Sequence, residues 1–227
     1  MSAQQRIQQA IDAASAGLIG RRPAVELLAL AAVARQHVLV LGPPGTAKSE
    51  LVRRFARAVD ATRFEYLLGR FTEPAELFGP IDLVALREGR VLTRTDGMLP
   101  EAELAFLDEV FLGSTAILNT LLGLLNERRF RRGHDTIDVP LRLCVGASNE
   151  LPETPELGAF ADRFAVVVHV EPVEDALLED LLSAAAVLPE VAACATVDDL
   201  DALAAQARAV KLDAVRPLYA EAVRSLR

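Results

Sequence analysis

The segment that most constrains this chain runs from His37 to Val59. His37-Val-Leu-Val-Leu41 is a short β-branched and leucine run that ends in Gly42-Pro-Pro-Gly45. It reads as a buried strand entering a tight glycine loop. Ser49 to Val59 then reads as an amphipathic helix, with Leu51, Val52, Phe55 and Val59 on one side and arginines elsewhere. A strand, a glycine loop and a helix in that order are the setting a phosphate-binding loop needs. Backbone N–H groups of Gly42, Gly45, Thr46 and Ala47 would point at phosphates beside Pro43 and Pro44, and the helix dipole favours the anion there. Lys48 supplies a point charge for the β- and γ-phosphates, and Ser49 a hydroxyl for Mg2+. The usual pattern has glycine before the lysine. Ala47 stands there instead, and a helix-start residue with negative φ should tolerate its methyl group. The plainer alternative is a glycine-proline turn that happens to precede Lys-Ser.

Sixty residues past Lys48 comes Leu104-Ala-Phe-Leu-Asp-Glu109, an apolar strand stopping at two acids. A carboxylate at the C-terminal end of a buried parallel strand lies in the crevice where such sheets bind ligands. Asp108 would hold Mg2+ through water, and Glu109 would orient or deprotonate an attacking water. A strand that simply ends in surface acids is the common alternative, but the pair follows a phosphate loop at suitable spacing. A glutamate beside the Mg2+ aspartate also suggests hydrolysis rather than transfer to another substrate. Asn149, after the strand candidate Leu141 to Ala147, could position the water, or could be a turn asparagine. Arg163 precedes the strand candidate Phe164 to Val170. It could reach a neighbouring subunit's γ-phosphate, or be a surface arginine paired with an acid.

Helical periodicity in Ile7–Leu18 and Val25–Val33 predicts two helices broken near Gly20 and Pro23. Phe64 to Leu68 is a strand candidate, Pro74 to Phe78 a short helix, and Thr115 to Asn126 an apolar helix. Val84 to Thr95, with Arg87-Glu-Gly-Arg90, reads as a hairpin, and so does Phe130 to Val139, turning at Arg132-Gly-His134. Strands alternating with helices imply a parallel sheet covered on both faces. Past Pro172 only alanine- and leucine-rich helical stretches remain, so residues 1–172 form an α/β nucleotide-binding domain and 173–227 a smaller helical one. A net charge of −8 argues against a protein that coats nucleic acid. Cys144 and Cys194 lack metal spacing and read as small buried hydrophobes in a reducing compartment. The N-terminus lacks a signal-peptide pattern, and the apolar stretch Ala24 to Ala34 is too short to span a bilayer, so a cytoplasmic protein is expected.

With these elements in order the chain resembles the AAA+ ATPases. The alanine within Gly42–Ser49 narrows the resemblance to the MoxR family. It narrows further to the RavA-like branch through Arg70-Phe-Thr-Glu-Pro-Ala-Glu-Leu-Phe-Gly-Pro80, Leu99-Pro-Glu-Ala-Glu-Leu104, Leu125-Asn-Glu-Arg128 and Ala147-Ser-Asn-Glu-Leu-Pro-Glu153. The resemblance implies a five-stranded parallel sheet of order 5-1-4-3-2, hairpins near Leu86–Arg94 and Arg129–Val139, and a helical lid. It implies that Leu18 and Ile19 touch adenine, that Asn149 is the sensor-1 residue and that Arg163 is the arginine finger. It also implies a chaperone-like ATPase that takes ATP and Mg2+, forms a ring, commonly a hexamer, and works on a client complex with a von Willebrand factor A domain protein. The second sensor of such lids is an arginine in a Ser-Asp-Arg-Arg type motif, and Val215-Arg-Pro217 does not match it, so the lid reads as cut short. Two other classes stay open. A DNA-linked motor related to MCM helicases or McrB-type GTPases would use Arg128-Arg-Phe-Arg-Arg132. A nucleotide-binding scaffold without turnover is argued against by Lys48, Asp108 and Glu109.

Overall fold

Strands that are apolar at every position need cover on both faces, and the sheet of this protein supplies two distinct cores. We describe a computed structural model, covering residues 1–132, 135–185, 188–213 and 215–225. The chain begins with two helices, α1 (Ala3–Ser15) and α2 (Arg22–Ala34), then β1 (Val38–Leu41), α3 (Lys48–Ala58) and β2 (Arg63–Leu67). Short helices α4 (Pro74–Phe78) and α5 (Leu83–Arg87) precede β3 (Leu104–Asp108) and α6 (Thr115–Glu127). Next come β4 (Arg129–Arg132), β5 (Asp135–Asp138), β6 (Leu143–Ser148), α7 (Pro155–Ala161) and β7 (Val166–His169). Helices α8 (Leu178–Ala185), α9 (Val197–Arg208) and α10 (Arg216–Ser225) follow, with no further strand among the described residues.

The main sheet is parallel, in the order β2-β3-β6-β1-β7. Numbering only its own five strands, this is the expected 5-1-4-3-2. Alternation along each strand sends side chains to opposite faces. Val38, Val40, Leu104, Phe106, Leu143 and Val145 pack against α1, α2 and α3, with Leu200 of α9 in the same cluster. Leu39, Leu41, Ala105, Leu107 and Cys144 pack on the other face against α6, α4 and Phe160 of α7. Burial of the Cys144 thiol pushes it up to about 12, which leaves it inert. Cys194 departs from the expected burial and is only half-buried.

Two insertions leave the sheet. Residues Arg129–Asp138 form the expected antiparallel hairpin, with Phe130 opposite Ile137. Gly133 and His134 of its turn lie outside the described residues. The excursion expected as a hairpin over Val84–Thr95 is different. It holds α5, whose N-cap Asp82 accepts from the N–H groups of Val84 and Ala85, and it closes on a single bridge between Ile81 and Thr93. An Asp followed by Leu-Val-Ala-Leu is a helix start as much as a strand edge, and the cap decides in favour of helix. No helix among the described residues is long and apolar enough to cross a membrane.

Candidate nucleotide-binding site

The C-terminal ends of β3, β6 and β1 lie side by side and bring the phosphate loop, Asp108, Glu109 and Asn149 to one edge of the sheet. Leu41 is level with Ser148, and Leu107 with Gly146, so Asp108 and Asn149 stand on the same rim as the loop after Leu41. The loop is seated by its neighbours. The Gly42 N–H donates to Ser148 O at 3.2 Å, and the Val170 N–H donates to Leu41 O at 2.7 Å. A Cβ on Gly42 would stand 2.1 Å from Val170 O, so no other residue fits this close approach. Gly45 takes φ +81°, the left-handed region open to glycine. Thr46 Oγ1 closes the loop by donating to Pro43 O at 2.9 Å.

Ala47 departs from expectation. Its φ is +66° and ψ 26°, not the negative φ that sequence reasoning assigned to it. The position needs the left-handed turn that glycine supplies elsewhere, and alanine adopts it at a cost of about 1–2 kcal/mol. Glu109 is also left-handed, at φ +49°. Of the five non-glycine residues with positive φ among those described, Arg35, Asp60 and Arg128 lie at helix C-termini, where this geometry is ordinary. The other two are Ala47 and Glu109, one in each loop of the site, and strain of this kind collects at functional positions.

Lys48 is buried at the start of α3, and its Nζ donates to Gly42 O at 2.7 Å and Pro43 O at 3.1 Å. α3 has no side-chain cap, so its first N–H groups face outward with the positive end of the dipole. The Ser49 hydroxyl makes no hydrogen bond among the described residues. Asp108 Oδ1 accepts the Glu109 N–H at 3.0 Å, which leaves Oδ2 available. Asn149 Nδ2 donates to Glu109 Oε1 at 3.3 Å, so the amide and the second acid are brought together. Arg163 is exposed just after α7, with only its backbone N–H engaged, on Phe160 O. The structure does not bring it to the other residues of the site.

Beside the loop lies a cavity of about 470 Å3. Leu18 and Ile19 form one wall, Pro44 to Ala47 another, and Pro172, Val173, Leu178, Leu181 and Leu188 a third. The segment from Gly17 to Arg21 bends around it through two left-handed glycines, Gly17 at φ +75° and Gly20 at φ +70°. The Arg21 N–H donates to Leu18 O, while the backbone N–H and C=O of Ile19 have no hydrogen bond among the described residues. An apolar slot with one free donor and acceptor edge suits a flat heteroaromatic base. Sequence reasoning missed Arg21, which also lines this cavity; nothing in its local pattern sets it apart from Arg22.

A metal could be held here only in part by the protein. No group of three or more His, Cys, Asp and Glu among the described residues could hold an ion alone. The free Ser49 hydroxyl and Asp108 Oδ2 offer two hard oxygens at the loop, a donor set that fits Mg2+ completed by phosphate and water.

Comparisons with known proteins agree with this geometry. A family model described as the MoxR domain in MoxR-vWA-β-propeller ternary systems matches residues 5–206. An uncharacterized protein of Methanocaldococcus jannaschii is 47% identical over 145 residues, 63% of this chain and 38% of that protein. Chaperone MoxR1 of Mycobacterium tuberculosis is 26% identical over 168 residues, 72% of this chain and 44% of that protein. The chain thus spans less than half the length of either relative. The crystal structure of a proposed ATPase from Cytophaga hutchinsonii matches with a TM-score of 0.75 at 18% identity, over 92% of this chain and 64% of that one. That likeness speaks to the fold.

Proposed function

We propose, because this chain belongs to the family of MoxR domains found in MoxR-vWA-β-propeller ternary systems, that it binds and hydrolyses ATP with Mg2+ in a ring of copies that remodels a client complex. The observation that carries the reading is the meeting of Lys48, Ser49, Asp108, Glu109 and Asn149 at one sheet edge, beside a largely apolar cavity with room for a base.

The base lies between Leu18, Ile19 and the residues after Pro172. The backbone N–H groups from Gly45 to Ser49 take the phosphates, and Lys48 turns from the Gly42 and Pro43 carbonyls to the β- and γ-phosphates. Mg2+, held by Ser49 and Asp108, would neutralise charge developing on the phosphate oxygens. Glu109 accepts the proton of the attacking water, and Asn149 sets the direction of its carboxylate. Arg163 stands outside this set, so it serves a neighbour's site, which requires copies packed head to tail. The helical segment after Pro172 acts as a lid, with Val173, Leu178, Leu181 and Leu188 closing the base slot. The RavA-like placement rests on the motifs between Arg70 and Glu153. A partner with a von Willebrand factor A domain follows from the family description.

A DNA-linked motor is less well supported. Within Arg128–Arg132, Arg129 pairs with Asp138, Arg131 with Glu127, and Arg128 is turned inward to Arg35 O. All three already have partners within the chain, Arg129 and Arg131 in exposed ion pairs at the surface. The test is Mg-dependent phosphate release by the purified chain and its Glu109→Gln variant. The variant is expected to hold ATP and lose turnover by about 10²–10⁴-fold. Turnover near the parent rate in that variant would remove Glu109 from the role given to it.

A further inference from the structure

The base slot has walls from three parts of the chain, and one side chain spans two of them. Arg21 lies at the start of α2, on the segment that carries Leu18 and Ile19. Its Nη2 donates to Glu171 O at 2.7 Å, across 150 residues of sequence. Glu171 follows Val170, whose N–H holds Leu41 O at the mouth of the phosphate loop, and it precedes Pro172 and Val173, the first residues of the helical segment that line the slot. Arg21 is the one charged side chain among the described residues lining the slot. It is half-buried, and no carboxylate among the described residues is paired with it. A charged donor on a carbonyl is a strong bond for a neutral acceptor, and guanidinium geometry fixes its direction.

We propose that Arg21 is a positioning residue that latches the base-binding segment to the hinge at Glu171, so that occupation of the slot by a base sets the placement of the helices after Pro172. The inference rests on the nucleotide reading above. It goes beyond it by naming the contact through which the base, rather than the phosphates, is felt by the helical segment. A base pressed between Ile19 and Val173 touches both sides of the latch. A triphosphate without a base touches neither, because its partners are the loop and Lys48. Without the latch the walls stay joined through the sheet and through Arg54, which donates to Ala16 O at 2.8 Å and to Pro189 O at 2.9 Å, but the Glu171 carbonyl is no longer held to the base-binding segment.

The probes are Mg-ATP, Mg-ADP and inorganic tripolyphosphate, with binding measured by calorimetry on the parent chain, Arg21→Met and Arg21→Lys. Arg21→Met keeps an apolar stem and removes the donor. It is expected to weaken ATP and ADP about tenfold, because the walls of the slot are then less well ordered before the base arrives, and to leave tripolyphosphate within about twofold. Arg21→Lys, which keeps a donor, should recover part of the loss. Amide hydrogen exchange over residues 171–185 supplies a second readout. ADP should slow it in the parent chain and not in Arg21→Met at saturation, while tripolyphosphate slows it in neither. Equal weakening of all three ligands would mean that Arg21 only supports the loop and would overturn the latch. So would parent-like affinity for ATP in Arg21→Met. Failure of the parent chain to bind any of the three would instead overturn the nucleotide reading, and the latch with it.

Discussion

Mild acid is expected to destabilise this protein through one buried ring. His37 precedes β1, between the sheet and α6, and is only 4% exposed. Its Nδ1 accepts the Cys144 N–H at 3.0 Å, so the ring proton sits on Nε2, which donates to Leu125 O at 3.1 Å. Arg128 Nη1 lies against the same Nε2 edge. Burial, and then the Arg128 charge, push His37 down to about 3 from the usual 6.5. A folded value below the unfolded one means that the unfolded chain binds the proton first as pH falls. The stabilisation is therefore complete above about pH 6.5 and is lost as pH drops through that value towards 3. At pH 5 the loss amounts to about 2 kcal/mol relative to pH 7, at about 1.4 kcal/mol per further unit. Denaturant unfolding at pH 7, 6 and 5 measures it, with His37→Asn as the reference; asparagine keeps an acceptor for Cys144 and cannot titrate. The variant starts less stable but should fall by about 2 kcal/mol less between pH 7 and 5. Parallel curves for the two proteins would show that the ring is not held neutral by this pocket.

Ala47→Gly should raise unfolding stability by about 0.5–1 kcal/mol, the relief of a left-handed alanine less the entropy glycine costs the unfolded chain; thermal or denaturant unfolding that shows a loss would contradict the assigned backbone. Gly42→Ala should cost about 1–3 kcal/mol and weaken ATP binding, because its methyl meets Val170 O at 2.1 Å; an unchanged denaturant midpoint would remove that close contact. Arg163→Ala should keep ATP affinity and lower turnover on the order of 10³-fold, and mixing it with Lys48→Ala subunits should restore part of the activity, since each supplies what the other lacks. No recovery in confirmed mixed assemblies would place Arg163 outside a trans role.

The sheet is legible because four apolar runs each stop at or just before a polar or turn-forming residue: Gly42, Asp108-Glu109, Asn149 and Pro172. Patterning of that kind is local, and it survived into the observed strands with shifts of a residue or two. The grouping of Lys48, Asp108 and Asn149 was legible for the same reason, since parallel strands put their C-terminal ends on one edge. Backbone sign at Ala47 was not legible. Its φ is set by the need to turn the chain from Gly45 into α3 within two residues, and sequence alone suggests only that alanine prefers otherwise. The α5 excursion reads as a hairpin because Arg-Glu-Gly-Arg is a turn in either a hairpin or a helix end, and the deciding cap, Asp82, lies before Val84. The reach of Arg21 to Glu171 and of Arg128 to His37 depends on which distant segments the fold makes neighbours, and neither carries a local signal.

The partners already held by Lys48 and Glu109 bear on how the proposed ATPase would start a cycle. Lys48 gives its charge to two loop carbonyls, and Glu109 takes the amide of Asn149. Neither group waits unpaired for a ligand, so binding ATP is an exchange of partners. The affinity contributed by Lys48 is the phosphate contact less two charged bonds worth about 1.5–3 kcal/mol each. This cost is useful if the loop must also release product. Glu109 faces a similar exchange, from an amide to a water. Its donor, Asn149, adjoins Ser148, whose carbonyl accepts the Gly42 N–H at the start of the phosphate loop. A shift of the loop on taking phosphate would therefore be passed along one hydrogen bond to the strand end that carries the residue holding Glu109. Hydrolysis would then be readied by phosphate arriving at Gly42, which places the control of Glu109 in the backbone of β6 rather than in any side chain that touches the nucleotide.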